Sequence, residues 1–363
     1  MKRIIFLLCA LLLLPLTACG TEKEPEPSQP PVESAPATIA PESREPLPTP
    51  TPAPAFYHPL TGMPSNEDYS GRRPVAVMLN NLKTALPQQG NGQADIIYEL
   101  MAEGGITRML AVYQTLEGVG DLGSIRSARS YYLELALGLD ALYVHAGGSP
   151  GAYRDIPAWG VDHMDGVRGG EDAKIFWRDQ ERRRTKGYEH SLLTSGEKIT
   201  EYLATGALRT EHQEGYVYPQ AFVPDGTPAG GSPAEHVQVK FSAYKTGTFD
   251  YDAESGKYLA GQYGGEYVDG GTGEQVAVTN LLVLETGISV ISGDTEGRLS
   301  VRLTGEGEGT FFCGGRAVPI RWSKADRNSP FVYTLESGQL LALGQGNSYV
   351  CVISPKTSQV TFE

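Results

Sequence analysis

Five consecutive apolar residues, Val75-Ala76-Val77-Met78-Leu79, run straight into Asn80-Asn81 without polar alternation. A strand with one wet face alternates, so an unbroken run of this length marks a strand covered on both faces. That requirement forces a sheet with a layer on each side. Residues 95–100, 109–113 and 141–145 read the same way, and residues 130–137 among them have helical composition. A further helix is expected around residues 191–205, with Ser195 as its cap and Gly206 at its end. Buried strands alternating with helices over residues 71–205 predict an α/β N-terminal domain with a largely parallel or mixed sheet.

The texture changes after Pro219. Pro224-Asp225-Gly226-Thr227-Pro228-Ala229-Gly230-Gly231-Ser232-Pro233 reads as a linker. Strand-like runs follow at 237–241, 258–263, 276–285, 299–303, 316–322, 340–343 and 349–353, punctuated by glycines. The expected division is an α/β domain over residues 56–224 and a β-rich C-terminal domain over residues 225–363. Cys313 and Cys351 fall just before and on two of these strands. They either bridge, which would close a loop of 38 residues and contribute about 4 kcal/mol, or stay as two buried thiols. No Cys/His spacing suggests zinc, and no metal or cofactor is expected.

The N-terminus reads as an export signal. Lys2 and Arg3 precede an apolar run over residues 4–14, too short to span a bilayer, and Leu16-Thr17-Ala18-Cys19 follows. This resembles the lipobox of bacterial lipoproteins, which implies removal of residues 1–18 and diacylation of Cys19, palmitate being a typical acyl group. Two acyl chains at ~0.8 kcal/mol per buried methylene make a stable anchor. Residues 19–55 then form a disordered tether with eleven prolines between Pro25 and Pro54 and six Glu against Lys23 and Arg44. Proline favours polyproline II, so the spacer is semi-stiff and reaches roughly 110 Å when extended. The chain carries a net charge of −13, and removing signal (+2) and tether (−4) leaves −11 on the folded part. Such an acidic body gives no footprint for nucleic acid, so any anion site must be a local pocket of arginines.

Several segments together resemble one family. Pro59-Leu60-Thr61-Gly62, Arg73-Pro74 leading into the first strand, and Ala94-Asp95-Ile96-Ile97-Tyr98-Glu99 are similar to the opening of the YerB-like bacterial lipoproteins, which carry domain of unknown function 3048. Glu103-Gly104-Gly105-Ile106-Thr107-Arg108, Ser124-Ile125-Arg126-Ser127-Ala128-Arg129, Tyr143-Val144-His145-Ala146-Gly147-Gly148-Ser149 and Phe176-Trp177-Arg178-Asp179 continue the likeness. The stretch from Gly305-Glu306-Gly307 to Pro319-Ile320-Arg321-Trp322 resembles that family's C-terminal domain. The resemblance implies a two-domain, membrane-anchored envelope protein without an assigned biochemical role. His190-Ser191-Leu192 departs from the family's usual His-Asn-Leu.

In parallel sheets ligands sit beyond the carboxyl ends of strands. That rule points to the segments 80–81, 124–129 and 145–149, and within them selects Asn80, Asn81, Arg126, Arg129, His145 and Ser149 as candidate ligand-binding residues. Glu103 and Arg108 join them across the Gly104-Gly105 turn. Ser127 or Ser130 would cap the following helix, so backbone N–H groups and two guanidiniums would face one space, suited to phosphate or carboxylate. The competing reading pairs the arginines with Glu99 or Glu103 as structural ion pairs. His163 and His190 read as surface histidines, and Arg182-Arg183-Arg184 as a solvated helix face. No nucleophile elbow, P-loop, dinucleotide fingerprint or HExxH is present, so no catalytic residue is nominated. The expected role is extracytoplasmic binding of an anionic cell-wall component or an envelope protein. The alternatives are an enzyme on phosphate-linked wall-polymer precursors, by faint likeness to LytR-CpsA-Psr ligases, and a structural assembly protein.

Overall fold

The computed structural model describes residues 54–363. The signal, Cys19 and nearly all of the tether lie outside the described residues. The apolar runs become strands β1 (Val75–Asn80), β2 (Ile96–Met101), β3 (Thr107–Tyr113) and β4 (Leu142–His145), followed by the short β5 (His163–Asp165). Every residue of β1 is buried. Its side chains alternate between two cores, Ala76 and Met78 on one face and Val75, Val77 and Leu79 on the other. Helices α1 (Ser130–Gly138) and α2 (Pro150–Trp159) cover the first face through Tyr131, Tyr132, Leu135 and Ile156.

Further along come β6 (His236–Lys240), β7 (Thr246–Asp252), β8 (Lys257–Gln262), β9 (Asn280–Glu285), β10 (Gly305–Cys313), β11 (Arg316–Lys324), β12 (Ser348–Ile353) and β13 (Gln359–Phe362). The β-rich C-terminal region expected from the sequence is present, but its strands are shared between two sheets. Strands β8, β7, β6 and β13 pair antiparallel in that order. Val237, Val239, Phe249 and Tyr258 of this smaller sheet belong to the same core as Val75, Val77 and Leu79 on the second face. The remaining strands extend the large sheet itself, in the order β11-β10-β9-β12-β2-β3-β1-β4-β5. The linker near residue 225 therefore separates two chain textures that share one sheet. The join is the parallel pairing of β12 with β2, from Ser348 opposite Ile96 to Val352 opposite Leu100. The sheet is mixed: β1, β4 and β5 run parallel, as do β9, β12 and β2, with antiparallel partners between and beyond.

Two sequence expectations need correction. Residues 192–195 form a strand, and the helix α3 begins only at Gly196 (Gly196–Leu203); Ser195 does cap it, its hydroxyl accepting from the Lys198 N–H. Cys313 and Cys351 are free thiols. Their strands β10 and β12 flank β9 without touching, and their side chains enter opposite cores. Burial pushes the Cys313 thiol up to about 11 and Cys351 well above its ordinary value. Neither thiol is set to react.

At the centre lies a buried charge pair. Glu99 on β2 and Lys245 in the β6–β7 turn are 1 % and 2 % exposed at the side chain and 3.3 Å apart. Asn81 Nδ2 donates to Glu99 at 2.8 Å, and the hydroxyls of Thr107 and Tyr349 each donate at 2.5 Å. Lys245 donates in turn to the Gln262 side-chain carbonyl. Removing one partner of such a pair strands a buried charge, at a cost of about 3–5 kcal/mol. Lys245→Met should lower unfolding free energy by that amount in urea titration, and Glu99→Gln/Lys245→Met should recover much of it. Equal losses in the single and double variants would contradict the coupling.

His58 and Asp95 form a second, less buried pair, Nε2 to Oδ2 at 3.8 Å. Burial holds His58 down to about 4 and pushes Asp95 up to about 7, the Gln114 N–H to Asp95 opposing the latter. Between pH 4 and 6.5 the folded pair keeps its proton on Asp95, while the unfolded chain keeps it on histidine. The two linkages cancel in that window. Asp95→Asn exposes the His58 contribution, which is lost as pH falls through 4, so its stability should rise with pH from 4 to 6.5. His58→Gln leaves the Asp95 contribution, which is lost as pH rises through 7, so its stability should fall over the same range. Thermal melts across this window decide it: slopes of the same sign in both variants would refute the shared proton.

Candidate functional site

The ladder between β1 and β4 pairs only Val75–Val77 with Leu142–Val144. Beyond it the strands splay, and residues 125–128 fill the gap. The Arg126 N–H donates to Met78 O and its carbonyl accepts from the Ala146 N–H, both through bonds of 2.9–3.0 Å. Ala128 continues the contact with the Gly147 carbonyl. A strand-like insert of this kind at carboxyl ends of parallel strands opens a crevice, the usual place for a ligand in such sheets.

The crevice is a cavity of about 410 Å³ lined by Arg126, Arg168 and Arg178, with Ile125, Ala146, Val167, Leu192 and the Gly147-Gly148 turn among its walls. Gly147 takes φ 71°, a conformation that favours glycine. Arg126 is 16 % exposed at the side chain and donates to the Glu189 carbonyl at 3.1 Å and its carboxylate at 3.5 Å. Burial lowers its pKa and Glu189 pulls it back, and a guanidinium stays charged throughout. Arg168 lies over the Tyr153 ring at 4.0 Å and Arg178 over the Tyr188 ring at 3.5 Å. Arg178 also donates to the Tyr188 carbonyl at 2.7 Å. Glu189, 74 % exposed, is the one carboxylate in the lining.

Asp165, 1 % exposed at the side chain, braces three parts of this wall. Its Oδ1 accepts from the Gly147 and Val167 N–H groups at 2.8 and 2.9 Å, and its Oδ2 from the Tyr153 hydroxyl at 2.7 Å. His145 is fully buried behind the turn, and that burial lowers its pKa. Its Nδ1 donates to the Gly147 carbonyl at 2.8 Å, which leaves Nε2 to accept from His163 Nδ1 at 2.9 Å. His145 supports the cavity without lining it.

Among the eight ligand candidates drawn from the sequence, Arg126 alone lines this cavity. Arg129 turns away: its Nε donates to Glu103 at 3.1 Å, and Arg108 donates to the same carboxylate at 3.0 Å. Burial opposes ionisation of Glu103, but the Arg129 hydrogen bond and both cationic charges outweigh it and hold the carboxyl at about 2. This trio is the structural ion-pair arrangement. Neither Ser127 nor Ser130 caps α1; Arg129 occupies the cap position without a side-chain bond, so the helix start and two guanidiniums do not share one space. Ser149 caps α2, accepting from the Ala152 N–H. Asn81 belongs to the Glu99 network, and Asn80 donates to His190 Nδ1 at 2.9 Å, tying down the 188–190 turn. Arg182 departs from the solvated face expected for its run: it is buried and donates to the carbonyls of Ala85, Pro87 and His190. Sequence reasoning passed over Arg168 and Arg178. The Gly166-Val167-Arg168-Gly169-Gly170 setting was the available signal for the first.

Asp165→Ala should remove the acceptor of three part-buried donors at once, at about 1 kcal/mol for each hydrogen bond lost. Stability in denaturant titration should fall by at least 2 kcal/mol, again about the cost of two such losses. A loss under 0.5 kcal/mol, the scale of an ordinary surface change, would show that the brace is idle.

Comparison with known proteins fits this architecture. Residues 60–209 match the N-terminal domain of the DUF3048 proteins of unknown function, and residues 237–350 match the C-terminal domain. YerB of Bacillus subtilis (strain 168), named as a lipoprotein, is 30% identical over 304 residues, 81% of this chain and 85% of YerB. The crystal structure of Bacillus subtilis YerB superposes with a TM-score of 0.72 at 27% identity, covering 84% of this chain and 99% of that one. Among the described residues no helix is long and apolar enough to cross a membrane. With both family domains present over most of its folded length, the chain belongs to the DUF3048 family of YerB-like proteins.

Proposed function

We propose that the chain is a lipoprotein of the bacterial envelope, anchored outside the cytoplasm through Cys19, that holds an anionic group of a wall component or partner in the Arg126–Arg168–Arg178 cavity. One observation carries the reading: three guanidiniums line one cavity in a chain of net charge −13, and a single exposed carboxylate faces them. A body this acidic has carboxylates to spare for structural pairing, as Glu103 shows with Arg108 and Arg129. Among the described residues Arg168 and Arg178 meet no carboxylate, and Arg126 meets only the exposed Glu189 at 3.5 Å, so their forks are left for a ligand. Two are stacked on tyrosines, which orders them before binding and reduces the entropy lost on capture. The relative's designation as a lipoprotein and the Cys19 motif support the anchor.

Two measurements test this on the full chain expressed in bacteria. Mass spectrometry should find a mature N-terminus at an acylated Cys19, and Cys19→Ser should move the protein out of the membrane fraction. Inorganic phosphate should raise the melting temperature of the detergent-solubilised protein, and Arg126→Ala/Arg178→Ala should abolish that rise. Charge-assisted hydrogen bonds of about 1.5–3 kcal/mol predict a loss of at least 10-fold in affinity. Unchanged partitioning would remove the anchor, and an unchanged phosphate response would remove the pocket.

A further inference from the structure

The layout of this cavity distinguishes among anions, an inference that rests on the binding role just proposed. The guanidiniums come from three separate segments: the insert between β1 and β4, the glycine-flanked loop after β5, and the Trp177–Arg178 strand. A planar carboxylate has two oxygens and is satisfied by a single guanidinium fork. Forks brought in from three segments suit a tetrahedral group, which offers three terminal oxygens out of one plane and up to two negative charges. The net charge of the lining, three arginines against Glu189, is +2 and matches such a dianion.

Size and texture add to this. A cavity of about 410 Å³ lies in the range that encloses a small organic molecule, well beyond a bare phosphate. Ile125, Ala146 and Leu192 add apolar wall beside Ser127 and the Gly147-Gly148 turn. At its edge Val167 and Tyr188 remain 58 % and 57 % exposed, an apolar rim beside a cationic centre. We propose that the cavity takes a phosphate monoester carried on a larger body with an apolar face, in preference to a carboxylate or free phosphate. A sugar phosphate and a lipid phosphate share that chemistry.

The experiment is calorimetric titration of the full chain in zwitterionic detergent with glucose 1-phosphate, dioctanoyl phosphatidic acid, glucuronate and inorganic phosphate. At least one phosphate ester should bind 10-fold or more tightly than both glucuronate and inorganic phosphate, and which one does so identifies the source. Arg168→Ala and Arg178→Ala should each weaken that ester about 10-fold or more, the scale of a lost charge-assisted bond. Arg168→Lys and Arg178→Lys keep the charge but lose the fork, and should weaken it by less. Arg154→Ala, which alters an exposed arginine outside this cavity, should leave it unchanged. Melting curves establish that each variant is folded. Glucuronate binding as tightly as the esters would overturn the phosphate assignment while leaving an anion pocket in place. Inorganic phosphate binding as tightly would overturn the larger body. Absence of binding by all four probes would overturn both this inference and the binding role beneath it.

Discussion

A carboxylate in the middle of the protein holds the layers in register. Glu99 sits on β2 and is met by Asn81 after β1, Thr107 on β3, Tyr349 on β12 and Lys245 from the smaller sheet. Taking a carboxylate out of water costs several kcal/mol, recovered only when its partners are all in place. The residues that supply them lie up to 250 positions from Glu99 along the chain. None can slip without stranding a charge, so the pair contributes less as raw stability than as a lock on which strand lies beside which. Asn81 is the link to the cavity: the next residue back, Asn80, ends β1 and holds the 188–190 turn through His190.

The cavity follows from a mismatch in strand length. β1 and β4 pair over three residues and then part, and the chain from 125 to 128 closes the opening with backbone hydrogen bonds on both sides. Its main chain is as fixed as a strand, so Arg126 leaves a rigid base. Opposite it, Asp165 fixes the Gly147 turn, the start of the Val167 loop and the Tyr153 ring under Arg168. Backbone and braces are ordered before any ligand arrives, which is the condition for turning charge into affinity.

Much of the fold was legible because burial on both faces leaves a plain trace. The runs that became β1 to β4 and β12 contain little but apolar residues. β10 was not legible. Its first half, Gly305-Glu306-Gly307-Glu308-Gly309, shows no apolar pattern and is a strand because β11 pairs along its whole length. There Gly307 lies under the Trp322 ring, where a Cβ would come within 2.5 Å of it. The continuity of the sheet across residue 225 was hidden for a related reason. A parallel pairing between residues 96–100 and 348–352 leaves no local signature in either segment.

The candidate site divides along the same line. Residue type and position along a strand are local facts, and they alone mark the arginines beyond a buried strand's end as candidates. Charge is a sum over residues, and it alone requires that a broadly anionic body have a pocket for any anion. Which arginines face the cavity depends on contacts between distant segments. Arg126 and Arg129 are three residues apart, yet the start of α1 sends one into the cavity and the other to Glu103. Arg168 reaches the cavity from the loop after β5 that Asp165 fixes, and Arg178 from the short Trp177–Arg178 strand, its side chain held by Ser191. Glu103, 26 residues away in sequence, neutralises the Arg129 guanidinium, while Arg126 meets only the exposed Glu189 at 3.5 Å. That difference is set by distance through space, which composition and spacing do not encode.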